Sequence, residues 1–287
     1  MVRKETAVVA DSMWGAKEYQ KRAQRALPVL VRQALAGQPM FYQTLADELG
    51  MSNPRTLNWP LGSVGQTLIN LGKQWDEEIP PIQCLVVNQQ DRTPGQGFGW
   101  FMPDADDWKG MSPMQRRRMT EQVMQQIYAY PKWPAVLAAL KLEPVKTDFE
   151  ELLKGAAQFR AGGEGEAHKK LKEYVRQHPQ LVGAKTGGRY GRSEERLPSG
   201  DSLDVFFDFG PEWIGVEVKP LSSDELDLTR GIYQCVKYAA VLHAMVVAEQ
   251  KEVDTQAVLV IEGHLSERLQ LLKTMLGVRV IEGMRVP

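Results

Sequence analysis

The chain has 287 residues, of which 35 are Lys or Arg and 36 are Asp or Glu, so its formal net charge at pH 7 is −1. This length favours two domains, and the near-neutral charge excludes a global basic field while leaving room for a local basic groove. Two cysteines far apart in the sequence and the lack of a signal peptide predict a reduced, cytoplasmic protein. The longest apolar run, Tyr238–Ala248, is too short to span a bilayer, so we expect no membrane partner.

The first third of the chain predicts three helices followed by two strands. Apolar residues at helical spacing indicate helices over Ala16–Ala36, Phe41–Leu49 and Leu61–Gly72. A short helix, a glycine-containing turn and a second helix form the layout of a helix-turn-helix, although an ordinary helical corner has the same order. Predicted strands Ile82–Val87 and Gln96–Phe101, joined by a turn-rich loop, would then form a wing.

The motifs Tyr42-x-x-Leu45-Ala46 and Val64-Gly65-Gln66-Thr67-Leu68 lie within this predicted winged helix. The segment resembles the DNA-binding domain of the O6-alkylguanine-DNA alkyltransferases and alkyltransferase-like proteins. That resemblance implies a recognition helix in which Gln66 and Thr67 contact DNA. The Pro-Cys-His-Arg acceptor motif of that family is absent, and no arginine precedes Val64-Gly65. We therefore predict no alkyl transfer and interpret Cys84 as a small buried hydrophobe.

The segment Met111–Leu142 is predicted to be helical. Ser112-Pro113-x-Gln115 provides an N-cap, a first-turn proline and a glutamine at the third helical position. Three successive arginines, residues 116–118, point about 100° apart on a helix, which favours a solvated face over a DNA contact. The glycines at 162 and 163 indicate an interdomain joint, so we predict domains over residues 1–145 and 164–287 with a linker over 146–163.

The second domain is predicted to run helix, strand, hairpin, helix, strand, helix, strand. Its leading helix, Glu164–His178, carries Glu164 close to its apolar face, and His168 shares that side as an expected interface residue. The following stretch, Lys185–Arg196, contains Lys185, Arg189 and Arg192 among several glycines. A solvated loop and an arm that follows DNA phosphates are equally compatible with this composition.

The stretch Ser202–Leu221 predicts a β-hairpin, because alternating apolar residues flank Gly210-Pro211, a pair suited to a type II′ turn. With those two residues in the loop, Asp204 lies opposite Glu217, and Lys219 shares their face of the sheet. Two facing carboxylates repel each other unless a cation lies between them. A hard divalent cation with oxygen ligands is therefore expected at this position.

Asp204 followed by Glu217-Val218-Lys219 resembles the signature of the PD-(D/E)XK nucleases, the restriction-endonuclease-like superfamily. On the next predicted helix, Gln234-x-x-x-Tyr238 is similar to a further motif of several of its nuclease families. The resemblance implies catalytic roles for Asp204, Glu217, Lys219 and Gln234, and Tyr238 is assigned to DNA binding.

The same resemblance implies a metal site. Asp204, Glu217 and the Val218 carbonyl would hold Mg²⁺, for which Mn²⁺ is expected to substitute, and Glu164 would assist directly or through water. Lys219 would position or deprotonate the attacking water, or stabilise charge on the phosphorus.

These observations predict an α/β domain with a restriction-endonuclease-like mixed sheet flanked by helices, preceded by a mainly helical winged-helix domain. The expected function is metal-dependent hydrolysis of DNA phosphodiester bonds, with DNA as the partner and a homodimer as a possible assembly. The alternatives are a non-catalytic DNA-binding protein that keeps the nuclease fold as a scaffold, or an adaptor that binds only proteins.

Overall fold

The computed structural model describes residues 10–89, 92–95, 108, 110–146, 149, 165–183 and 190–287. The chain divides into two compact units, Met1–Thr147 and Asp148–Pro287. Apart from Lys146 and Phe149, the predicted linker lies outside the described residues.

The first unit is mainly helical in its described part. Its α-helices are α1 (Glu18–Ala36), α2 (Tyr42–Glu48), α3 (Asn58–Trp75), α4 (Pro113–Ala129) and α5 (Trp133–Ala139). They surround one apolar core that includes Leu27, Leu30, Ile127 and Trp133. The predicted cap of α4 is present, because Ser112 Oγ accepts a hydrogen bond from Gln115 N while Gln115 Oε1 accepts one from Ser112 N.

The predicted strand Ile82–Val87 is wrong over most of its length. Ile82–Leu85 is a 3-10 helix, and only Val86–Val87 forms a strand, β2, which pairs in parallel with β1 (Met40–Phe41). Pro81 starts the turn, since its carbonyl accepts from Cys84 N at 2.9 Å, and all four residues of the turn are buried. Packing against the helices therefore overrides the strand pattern. The second predicted wing strand lies outside the described residues.

The second unit is an α/β structure whose sheet is flanked by helices. Its elements in chain order are α6 (Glu166–Gln177), β3 (Arg192–Arg196), β4 (Ser202–Asp208), β5 (Glu212–Lys219), α7 (Glu225–Ala248), β6 (Asp254–Ile261), α8 (Glu267–Met275) and β7 (Arg279–Ile281). The five strands lie in the order β3-β4-β5-β6-β7. The pairs β3–β4 and β4–β5 are antiparallel, whereas β5–β6 and β6–β7 are parallel, so the sheet is mixed.

The β4–β5 hairpin has the predicted register. Val205 pairs with Val216 and Asp208 with Trp213, which leaves Gly210 and Pro211 in the loop. Gly210 has φ of 86°, and the left-handed conformation of that residue is what a type II′ turn requires. The hairpin sets the positions of the charged residues on both strands.

The two faces of the sheet pack against different helices. On one face, Val205, Val216 and Val258 pack with Leu171 and Val175 of α6. On the other face, a second apolar cluster joins the sheet to α7 and α8, with Phe206, Trp213, Ile232, Leu259 and Leu269 among its members. The sheet is therefore covered on both sides.

The basic stretch Lys185–Arg196 is only partly described. Its last five residues, Arg192–Arg196, form the edge strand β3 and not a loop or an arm. Strand β3 pairs with β4, where Arg192 lies beside Phe206 with its guanidinium 5.0 Å from the ring centroid. Lys185 and Arg189 lie outside the described residues.

Helix α7 is, among the described helices, the one with the length and apolar composition that a membrane span requires. The core helix of a water-soluble protein passes the same test. Ile232, Cys235 and Leu242 of α7 lie in the apolar cluster beneath the sheet, while 33% of the most apolar stretch of the helix is buried.

Candidate functional site

Strand β5 places Glu217 and Lys219 on the face of the sheet that α7 covers. Both side chains are buried, with Glu217 4% and Lys219 7% exposed. Trp213, on the same strand and face, belongs to the apolar cluster beneath them. Burying two ionisable side chains in such surroundings is unfavourable unless each has partners, so their contacts decide what the site can do.

Asp204 lies at a local interruption of the sheet. The regular β4–β5 pairing ends at Val205–Val216, one position before Asp204 would face Glu217. There the Asp204 carboxylate takes the place of a main-chain partner, because its Oδ2 accepts a hydrogen bond from Val218 N at 2.8 Å. The same Oδ2 lies 3.3 Å from Nε2 of His168 on α6. Asp204 is thus held at the end of the hairpin ladder.

The neighbouring strand is irregular at the same level. Strands β3 and β4 pair on both sides of Glu194 and Asp204 but not at these two residues. Glu194 has φ of 56°, a left-handed conformation that costs a non-glycine residue on the order of 1–3 kcal/mol. Its carboxylate is paired with the ammonium of Lys172 on α6. One residue with a strained backbone therefore lies beside Asp204.

Lys219 lies between two carboxylates. Its Nζ is 3.2 Å from Glu217 Oε1 and 2.9 Å from Oδ1 of Asp227, in the first turn of α7. Gly231 makes room for the lysine stem, since a Cβ at that position would be 3.1 Å from Lys219 Cε and 2.9 Å from Leu259 Cδ1. The lack of a side chain at Gly231 therefore allows Lys219 to occupy this position.

Gln234 and Tyr238 lie one turn apart on α7 and approach Glu217 from below the sheet. The Tyr238 hydroxyl lies 3.3 Å from Glu217 Oε2 and 3.2 Å from the Ser202 carbonyl oxygen, and it accepts a hydrogen bond from Gln234 Nε2. The other amide atom, Gln234 Oε1, is buried and has no hydrogen-bond partner among the described residues. This helix face contributes a polar network beneath the carboxylates.

The electrostatics of the site follow from burial and from like charges. Burial, together with the negative charge of Asp204, raises the pKa of Glu217 from 4.5 to about 7, although Lys219 and His168 oppose the shift. For Lys219, burial alone would lower the pKa, but the carboxylates of Glu217 and Asp227 outweigh it and raise the pKa above 10.5. Lys219 therefore keeps its proton, whereas Glu217 titrates close to neutral pH.

The predicted metal ligands come together only in part. Among the described residues, no three His, Cys, Asp or Glu side chains form a group able to hold a metal ion. Asp204 and Glu217 supply two carboxylates, and the fourth predicted ligand, Glu164, lies outside the described residues. Because Val218 N–H points to the Asp204 side of β5, the Val218 carbonyl faces the same edge.

Two of the residues assigned to DNA contact are buried, and these assignments are corrected. Thr67 is 4% exposed, and its hydroxyl donates to the Ser63 carbonyl and accepts from Met13 N. Tyr238 is buried because its face of α7 packs against β5, and it contacts Glu217 instead of solvent. Gln66 is half-buried and Arg192 is exposed, so their contact with DNA stays a prediction.

Sequence reasoning missed Asp227 and gave His168 only an interface role. In the sequence, Asp224 has the residue type of a helix N-cap, and Asp227 follows it by three positions. In the structure, Asp224 Oδ1 accepts a hydrogen bond from Asp227 N. Nothing in that local motif indicates that the Asp227 side chain points at Lys219. The contact between His168 and Asp204 likewise depends on how α6 packs on the sheet.

No protein-family model, no curated protein and no solved structure matches this chain.

Proposed function

We propose that the chain is a metal-dependent deoxyribonuclease of the PD-(D/E)XK type that hydrolyses DNA phosphodiester bonds. The observation that carries the proposal is the arrangement of Asp204, Glu217 and Lys219 on adjacent antiparallel strands, with Gln234 beneath them. The order of a helix, three antiparallel strands, a helix and a parallel strand supports a restriction-endonuclease-like fold.

The donor set fits a hard divalent cation. Asp204, Glu217 and the Val218 carbonyl offer oxygen atoms, which Mg²⁺ and Mn²⁺ prefer, and Mg²⁺ is commonly held by only one or two carboxylates. The raised pKa of Glu217 supports this fit, because part of the shift comes from the charge of Asp204, which a cation would offset. When bound, the ion would polarise a phosphoryl oxygen and lower the pKa of a water molecule.

Lys219 acts in this proposal as a fixed positive charge. Its raised pKa disfavours the role of general base, since a base has to be free of its proton at the working pH. A buried ammonium beside the site can instead orient the attacking water or stabilise negative charge on the phosphorus in the transition state. Asp227 holds the ammonium in place from the helix side.

Gln234 and Tyr238 have different roles. Tyr238 is buried and orients Glu217 through its hydroxyl. Gln234 has a buried amide oxygen with no partner in the described part of the chain, a costly arrangement that a water molecule or a ligand hydroxyl would relieve. This oxygen is therefore available to orient the attacking water.

The test is cleavage of supercoiled plasmid and linear duplex DNA by the purified full chain, with Mg²⁺, with Mn²⁺ and with EDTA. The expected result is cleavage that requires a divalent cation and yields 5′-phosphate ends. Asp204→Asn, which keeps the shape of the side chain, should be inactive. Absence of cleavage under all metal conditions would overturn the proposal.

One observation favours the non-catalytic alternative. Glu217 Oε1 and Oε2 are both engaged, by Lys219 and by Tyr238, and Lys219 is also paired with Asp227, so the charged groups partly satisfy one another without a metal. A scaffold that only binds DNA would have this property. Calorimetric titration with Mg²⁺ separates the two functions, because the scaffold should release no heat that depends on Asp204.

A further inference from the structure

The first unit contains a cleft between the start of α1 and the start of α3. Its volume is about 380 Å³, and its walls come from six residues: Lys17, Tyr19, Arg22, Thr56, Trp59 and Pro60. This cleft is distinct from the predicted recognition surface at Gln66 and Thr67, of which Thr67 is buried.

Two aromatic rings form one side of the cleft. Tyr19 and Trp59 lie with their ring centroids 5.5 Å apart and their planes at 42°, and Trp59 is 38% exposed. Asp11 holds Tyr19 through two hydrogen bonds. The Tyr19 hydroxyl donates to Asp11 Oδ2 and accepts from the Asp11 main-chain N–H. An exposed tryptophan held against a fixed ring is a ready surface for stacking a planar group.

Two cations flank these rings. Lys17 Nζ lies 5.8 Å from the centroid of the Tyr19 ring and pairs with Asp11, and Arg22 lies 3.4 Å from Glu18. Both pairs involve solvent-exposed partners, so each is weak and either cation can exchange its carboxylate for a phosphate at small cost. The combination of rings and exchangeable cations suits a ligand with both a planar apolar part and a negative charge.

The charge along α3 indicates which end a polyanion would contact. Asp76, Glu77 and Glu78 follow the C-terminal end of the helix, where the helix dipole is also negative. Of these, Glu77 pairs with Lys132, and Lys73 lies in the last turn. The other end carries Lys17 and Arg22, which pair with Asp11 and Glu18, and the exposed Arg55 just before the helix. Among these residues the start of α3 has one more cation than carboxylate, and it is also the positive end of the helix dipole, so it is the end that favours a nucleic acid.

We infer that this cleft binds single-stranded DNA, with one unpaired base stacked on Trp59 and the adjacent phosphate held by Arg22 or Lys17. The choice of DNA as ligand rests on the proposed function, and the cleft adds a preference for unpaired strands. Stacking is tolerant of sequence, because every base has a π-face, so the cleft would bind without strong base preference.

The test is fluorescence anisotropy of a labelled thirty-nucleotide oligo-dT with the full chain in EDTA at low salt. We expect Trp59→Ala to weaken binding about tenfold, because loss of one base–aromatic stack lies in this range. Trp59→Phe should restore most of the affinity. Trp14→Ala is the matched control, since Trp14 is also exposed on the first unit but lies outside the cleft, and it should bind like the parent.

Equal affinity of the parent and Trp59→Ala would overturn the inference, as would a parent that does not bind the oligonucleotide at low salt. Circular dichroism and thermal melting establish whether Trp59→Ala is folded. If it is not, the double substitution Lys17→Gln with Arg22→Gln decides, because it removes both cations of the cleft from exposed positions and should weaken oligo-dT binding, whereas unchanged affinity would overturn the inference. A chain that binds oligo-dT through Trp59 but cleaves no DNA supports the cleft and refutes the nuclease. A chain that cleaves DNA but whose affinity for oligo-dT is the same in Trp59→Ala supports the nuclease and refutes the cleft.

Discussion

The ammonium of Lys219 lies 2.9 Å from the carboxylate of Asp227, so a residue of the helix that follows the hairpin fixes the lysine of the Glu-x-Lys strand. Glu217 binds the same ammonium from the strand side at 3.2 Å. Lys219 is thus positioned from two elements, and its geometry depends on how α7 packs on the sheet.

Asp227→Asn should lower the single-turnover rate of DNA cleavage about tenfold, the size of effect that supporting residues of catalytic sites commonly have. The physical reason is that a neutral amide holds the ammonium less firmly and allows Lys219 to move. Glu225→Gln is the control, because it neutralises another carboxylate in the first turn of α7, one that accepts a hydrogen bond from Ser266. It should cost at most about 1 kcal/mol of stability and leave the rate per folded molecule unchanged. An unaltered rate in Asp227→Asn would show that Lys219 does not depend on Asp227.

Lys219→Ala should cut the chemical step severely and leave Mg²⁺ affinity similar or slightly higher, since a nearby positive charge is lost but no ligand is removed. It should also lower the free energy of unfolding by up to about 3 kcal/mol, because the buried Glu217 and the partly exposed Asp227 lose their shared partner. Single-turnover cleavage per folded molecule, with Mg²⁺ binding followed by calorimetry, measures both. Unchanged rates at saturating metal would leave Lys219 with a structural role alone.

Gly231→Ala should reduce both stability and activity. The added methyl group would overlap Leu259 and press on the Lys219 stem, and such overpacking costs about 1–3 kcal/mol, more than the helix gains from alanine. Urea unfolding and cleavage rates measure the two effects. Gly263→Ala is a suitable control, because its Cβ would meet Leu221 only at an ordinary 3.6 Å. Similar behaviour of the two variants would argue against a tight fit at Gly231.

Asp204→Asn should abolish cleavage while the metal-free protein keeps or gains stability. The amide oxygen can still accept the hydrogen bond from Val218 N, and removal of one negative charge relieves the repulsion on Glu217. Thermal melting in EDTA at pH 8, beside cleavage assays in Mg²⁺, provides the comparison. A variant that cleaves like the parent would remove Asp204 from the metal site.

The metal-free parent should lose stability as the pH rises from about 5 to about 7.5. The folded Glu217 carboxyl has a pKa of about 7 against 4.5 unfolded, so the folded state binds more protons in this interval and rising pH favours unfolding. The contribution is at most about 3 kcal/mol. Urea unfolding in EDTA across this range should show the decline in the parent and a smaller one in Glu217→Gln. Parallel curves for the two proteins would contradict the raised pKa.

The sequence allowed the hairpin to be predicted because its determinants are local. Gly210 permits the tight turn, and once the loop is two residues long, alternation alone places Glu217 and Lys219 on one face. The helices α1, α4 and α7 were predictable for the same reason, since their apolar spacing and caps lie within the segment itself.

Other features depend on contacts between distant segments and were not predictable. The Lys219–Asp227 pair and the His168–Asp204 contact require the packing of α7 and α6 on the sheet. The burial of Thr67 depends on Met13, 54 residues away along the chain. The spacing of apolar residues identifies the buried face of a helix. It does not show which polar residues on the opposite face become buried by contact with another segment.

Strand β3 also bears on how copies of the chain can meet. It is an edge strand in which four of the five residues carry charge, Arg192, Glu194, Glu195 and Arg196, and the ladder is interrupted at Glu194. Charged and irregular edges oppose the addition of a further strand from another chain. At the opposite edge, β7 has only three residues, so few main-chain groups are there for a strand of another chain to pair with. As far as the strands are described, both edges of the sheet thus disfavour fibre-like aggregation and the pairing of two copies through a continuous intermolecular sheet.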